Sequence, residues 1–117
     1  MDIKELREHL SGGQEKTFIL KKIELNRDFF EDKENTQAFT VIIGNEEDKK
    51  YGLITFAIEN ETYYQLCFLE KDGKKSKIYC YHIEDLYDNE SEGNDPMRSV
   101  RPIFKSIDSF LKNIHIQ

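Results

Sequence analysis

The sequence predicts an α+β domain, an antiparallel β-meander of about four to five strands with N- and C-terminal helices packed on one face. Two observations carry this reading. Four apolar runs, "AFTVIIG", "YGLITFAI", "YYQLCFL" and "KIYCYHI", are rich in β-branched and aromatic residues and are parted by short charged or turn-forming breaks. Connections that short favour antiparallel pairing, because a parallel pair needs a crossover of about a dozen residues or more. Both chain ends show helical spacing instead.

Taken in order, "DIKELREHLSGG" opens as a short helix. Asp2 serves as N-cap with Glu5 three residues on, a capping box in which Asp replaces Ser or Thr. Ile3, Leu6 and Leu10 share one face, and Gly12-Gly13 ends the helix. A first strand lies in "KTFILKKIEL". The polar connection "NRDFFEDKENTQ" tucks Phe29 and Phe30 against the core. The meander follows, with "GNEEDKK" and "ENE" as its breaks and a turn at Asp72-Gly73 before "KIYCYHI". "YDNESEGNDP" reads as an acidic loop, the most mobile segment of the chain. In "VRPIFKSIDSFLKNIHIQ", Ser106 is the N-cap of a last helix whose Ile107, Phe110, Leu111 and Ile114 form one apolar stripe. A helix this short is marginal alone and must dock on the sheet.

The chain, residues 1–117, suits a single domain that buries an ordinary core without staples. Charged residues make up 34% of it, so its surface is heavily solvated. A formal charge of −6 argues against nucleic-acid binding, which needs a basic patch to displace counterions. It suits a basic partner, since opposite potentials speed encounter. "MDIKELREHL" lacks the basic start and apolar run of a signal peptide, and no apolar stretch is long enough to span a membrane. Two cysteines build no disulfide scaffold, and the expected location is the cytoplasm with both thiols reduced.

Both cysteines and one histidine fall in "YYQLCFLEKDGKKSKIYCYHIEDL". Cys80 and His82 point the same way along a strand. A two-residue loop at Gly73-Lys74 sets Cys67 opposite Cys80, whereas a loop at Asp72-Gly73 sets it opposite Ile78. Loop position thus decides whether Cys67, Cys80 and His82 cluster, with Glu61 or Glu84 completing a zinc shell. Their spacing matches no usual zinc motif and there is no CxxC pair, so buried thiols in a packed hairpin, with no metal and no cofactor, are expected. His82 lies close enough to activate Cys80, but no third orienting group is identifiable. With no nucleophile elbow, phosphate loop or HExxH, the expected chain is not an enzyme.

The tyrosines suggest binding. With helices on one sheet face, a Tyr-bearing stripe is left on the other, and exposed Tyr beside acidic groups suits a protein interface. The surface candidates are Tyr63, Tyr79, Tyr81, Glu61, Glu84, Asp85 and Asp88.

Residues 52–114 also carry a family resemblance. "YGLITFAIENETYYQLCFLEKDGKKSKIYCYHIEDL" has a strand ending near an I-F-A type run, an N-x-x-Y type turn, and a charged Gly turn leading into a strand that reads loosely like x-V-Y-x-Y/W-x-H/D. "KSIDSFLKNI" is similar in part to a closing S-F-x-x-F-L helix. This layout resembles the SUKH superfamily, the fold of many bacterial immunity proteins. Residues 1–50 lack that family's L-P-x-x-Y/F-x-x-F-L segment, and no residue role carries over. The resemblance implies a non-catalytic module that neutralises a protein partner, a toxin, by stoichiometric occlusion. Open edge strands of a small antiparallel sheet leave either a monomer or a homodimer as the expected state. Two other functions fit the residues: a phage or plasmid accessory inhibitor that mimics nucleic-acid charge, and a small metal-binding protein using Cys67, Cys80 and His82.

Overall fold

The computed structural model describes residues 3–12, 16–29, 37–42, 50–59, 61–75 and 77–117. Asp2, Gly13, Phe30 and the break from Gly44 to Lys49 lie outside the described residues, and with them the readings made there. The architecture is α+β, built on a curled sheet of seven antiparallel strands. They are β1 (Thr17–Leu20), β2 (Gln37–Val41), β3 (Leu53–Glu59), β4 (Tyr64–Leu69), β5 (Ile78–His82), β6 (Arg101–Phe104) and β7 (Ile114–Ile116). The helices are α1 (Ile3–Leu10), α2 (Ile83–Ser91) and α3 (Ile107–Lys112).

Strand order is β6-β5-β4-β3-β2-β1-β7, so the meander of β1 to β5 is extended by an edge strand on either side. The two additions correct the expected count of four to five. β6 comes from "RPIF", whose Pro102 is tolerated because the strand sits at an edge. β7 takes residues that the apolar stripe assigned to the last helix. That helix has only six residues and stops at Asn113, whose carbonyl accepts from the Lys21 N–H at 2.8 Å. Ile114 then pairs with Leu20 of β1. Strand pairing supplies backbone partners that one further helical turn would not, which is why the stripe breaks there.

The connection 105–113 joins the two outermost strands. Laid flat, six strand spacings of about 4.8 Å would part them by roughly 29 Å. A six-residue helix advances only about 9 Å. The remaining residues, extended at about 3.5 Å each, do not make up the difference. The sheet therefore curls until its ends approach each other, and Phe110 of α3 fills the space between. Its ring contacts Phe18 of β1 at 5.7 Å, Phe56 of β3 at 5.7 Å and Phe104 of β6 at 5.4 Å. Leu6 and Leu10 of α1 join the same inner core cluster as Phe110. The segment after β1 completes the wrap. Glu24 and Leu25 N–H groups donate to the Ile103 carbonyl at 3.1 and 2.8 Å, and Asn26 Nδ2 donates to the Pro102 carbonyl at 2.7 Å.

A second apolar layer lies on the outer face, where Leu53, Cys67, Leu69 and Tyr81 meet Leu86 of α2, with Met97 and Val100 alongside. This layer corrects the reading of an open Tyr-bearing stripe and, in the expected loop 87–96, the part at 87–91, which is helical. α2 runs from Ile83 to Ser91 because its start and stop are both well made. His82 is the N-cap, its Nδ1 accepting from the Glu84 N–H at 3.2 Å, and Glu84 and Asp85 lie in the first turn beside the positive end of the helix dipole. At the far end Gly93 adopts φ 78° while its N–H donates to the Glu90 carbonyl at 3.2 Å and Asn94 N–H donates to the Asn89 carbonyl at 2.8 Å. This is a Schellman stop, and Gly suits the left-handed residue at its centre.

Candidate interaction groove

α2 and its C-cap place Asp85, Asp88, Asn89 and Glu92 at spacings of i, i+3, i+4 and i+7, one polar stripe flanking the buried Leu86. The short 3-10 turn Pro96–Ser99, capped by Asp95 Oδ1 accepting from the Met97 N–H at 3.0 Å, brings Arg98 and Ser99 alongside. Arg101 opens β6, and Asp28 and Phe29 follow the Asn26 anchor. Together with Tyr64 of β4 these residues line an open groove of about 620 Å³. Phe29 and Tyr64 contribute the aromatic part of its lining, in edge contact at 5.4 Å. Four carboxylates (Asp28, Asp85, Asp88, Glu92) face two guanidinium groups (Arg98, Arg101), so the groove is acidic on balance. Among the described residues no ion pair forms between them.

The expected surface residues divide. Asp85 and Asp88 line the groove, and Glu84 is exposed at the start of the same helix. Glu61 and Tyr63 lie in the β3–β4 turn. Tyr63 is 58% exposed with φ 62°, a left-handed backbone that a tyrosine rarely takes, and its ring stands 6.3 Å from that of His82. Tyr79 is half-buried under the outer layer, its hydroxyl donating to Asp72 Oδ2 at 2.9 Å. Desolvation and that acceptor together push its pKa up to about 12. Tyr81 is a correction: it is 1% exposed, and its hydroxyl is shared between Gln65 Oε1 at 2.7 Å and Thr55 Oγ1 at 2.9 Å. It is a core residue, covered by the helix that the sequence reading missed.

The strand register separates the cysteines. Cys67 pairs with Tyr79, halfway between the two expected alternatives, because the link is the longer 3-10 turn Glu70–Lys75 with Gly73 at φ 59°. Cys67 therefore belongs to the outer layer, while Cys80 belongs to the inner core. They do not cluster with His82, whose Nδ1 is occupied as a helix cap. Burial pushes the Cys80 thiol well above its ordinary value, the reverse of what a nucleophile requires.

Sequence reasoning missed Asp28, Glu92, Arg98, Arg101 and a second depression of about 600 Å³ lined by Lys50, Tyr51, Tyr87 and Glu90. There Lys50 Nζ pairs with Glu90 Oε1 at 2.7 Å, and the Tyr51 hydroxyl donates to Glu90 Oε2. The hydrogen bond from Lys50, then that from Tyr51, holds the Glu90 carboxyl below its ordinary value. The signal for the groove was present as the spacing 85, 88, 89, 92, but it becomes visible only once a helix is assigned there.

Comparison with family models, with curated proteins and with solved structures gave no match. No helix among the described residues is long and apolar enough to cross a membrane.

Proposed function

We propose that this chain is a non-catalytic protein-binding module of the immunity type, which neutralises a partner by occupying it stoichiometrically through the groove beside α2. The observation that carries the reading is the acidic stripe of α2 set beside the aromatic lining of Phe29 and Tyr64, with its charges left without ion-pair partners inside the groove. Unpaired carboxylates next to aromatic surface suit a partner segment bearing Lys or Arg among apolar groups, since charge steers the encounter and ring area holds the complex. The chain's formal charge of −6 acts in the same direction at long range. The resemblance of residues 52–114 to the SUKH superfamily is consistent with such an inhibitor. A buried, protonated Cys80 and a capping His82 favour binding over nucleophilic chemistry.

Capture with the tagged chain, washed at low and then high salt, tests the reading, with an Asp85→Lys, Asp88→Lys double variant beside it. One stoichiometric protein should survive high salt on the wild type and be lost from the variant. Equal retention by both would move the interface off the groove. Retention of nothing, or of proteins that all leave at high salt, would overturn specific occlusion. Loss at high salt of a nucleic-acid-binding protein would favour the charge mimic.

A further inference from the structure

Glu59 ends β3 nine-tenths buried, and its Oε2 has no hydrogen-bond partner. Its side chain belongs to the inner face, since Glu59 pairs with the core residue Phe39. Continuing the β3–β4 register one step beyond Ile58↔Gln65 sets Glu59 beside Tyr64, which pairs in turn with His82. Phe39, Glu59, Tyr64 and His82 thus form one row across four strands. The titratable groups around Glu59 are Tyr64 and His82 in that row, Cys80 further into the core and Glu61 in the adjoining turn. None supplies a fixed positive charge, and no Lys or Arg among the described residues lies within ion-pair distance. Desolvation, and then the charge of Glu61, raise the Glu59 pKa. A carboxylate oxygen buried without a donor is a net cost to the fold.

Tyr64 belongs both to this row and to the groove lining. Four carboxylates at the groove would concentrate cations there. Lys and Arg lay their methylene stems along aromatic surface and keep the charged head for a partner. We propose that Glu59 is the receiving carboxylate for one Lys or Arg side chain of the protein partner, entered from the groove with its stem along Phe29 and Tyr64. This rests on the groove being the partner's site.

The test uses the full chain with carbon-13-labelled carboxyl groups, titrated with n-butylguanidinium and, as an uncharged control, n-butylurea. The guanidinium probe should lower the Glu59 pKa and shift the Tyr64 ring signals with one shared midpoint, while butylurea does neither. Glu59→Gln should weaken probe binding roughly tenfold or more. Shifts confined to Asp85, Asp88 and Glu92 would overturn this inference while leaving the groove reading intact. So would equal affinity in Glu59→Gln, equal binding of butylurea or no response to the probe. The capture experiment decides the groove reading separately.

Discussion

Removing one oxygen from Tyr81 should cost about 1–3 kcal/mol, because Tyr81→Phe deletes two buried hydrogen bonds, to Gln65 Oε1 and to Thr55 Oγ1. Urea unfolding of the two proteins checks this. Tyr63→Gly should behave differently. It relieves a left-handed backbone at an exposed position, so stability should hold or rise while partner capture falls if the ring belongs to the interface. Glu59 adds a pH dependence with a definite sign. Its folded pKa is raised, so the folded chain holds this proton more tightly than the unfolded chain. Stability is therefore greatest below the ordinary carboxyl pKa and falls as pH rises through that value to the raised one. Glu59→Gln should melt higher than wild type at neutral pH, and the gain should vanish in acid. A gain that persists at low pH would show that something other than ionisation is responsible.

Among the elements, α2 depends on its ends. Gly93→Ala should cost about 1–2 kcal/mol by placing a Cβ on the left-handed residue of the Schellman stop. Ser106→Ala should cost about 1 kcal/mol, since Ser106 Oγ accepts from the Ser109 N–H at 3.1 Å and Ser109 Oγ accepts in return from the Ser106 N–H. Thermal melts of both variants are the check. Of these two caps, only Ser106 was legible in the sequence. Ser106 followed by an apolar stripe announced its helix, and the runs around Phe39, Phe56, Leu66 and Cys80 announced their strands. α2 was hidden because its first residues continue the alternation of "KIYCYHI" and the rest is too polar to show an apolar period, with Leu86 its only buried residue. Half of the groove was hidden with it. The cysteines failed for another reason: loop length sets register, and "KDGKKSK" offers turn residues for several lengths. Edge strands as short as β6 and β7 have no pattern of their own, since the vacancy beside β5 or β1 makes them strands.

On the scale of the whole molecule, Phe110 joins parts of the sheet that are far apart in strand order. Phe110→Ala should lose about 3–5 kcal/mol, a large part of the 5–15 kcal/mol typical of a domain, and calorimetry would show a much lower midpoint. Conservative replacement by Leu should keep most of it. Residues 101–116 alone supply both edges of the sheet, together with the plug between them. During synthesis β1 and β5 therefore stay bare on both flanks until residues 101–116 have left the ribosome, a condition that invites strand pairing between neighbouring nascent chains. The same arrangement makes residues 101–117 a natural complement. Expressed as a separate peptide beside residues 1–100, that segment should close both flanks at once and recover soluble, folded protein from a fragment that otherwise aggregates.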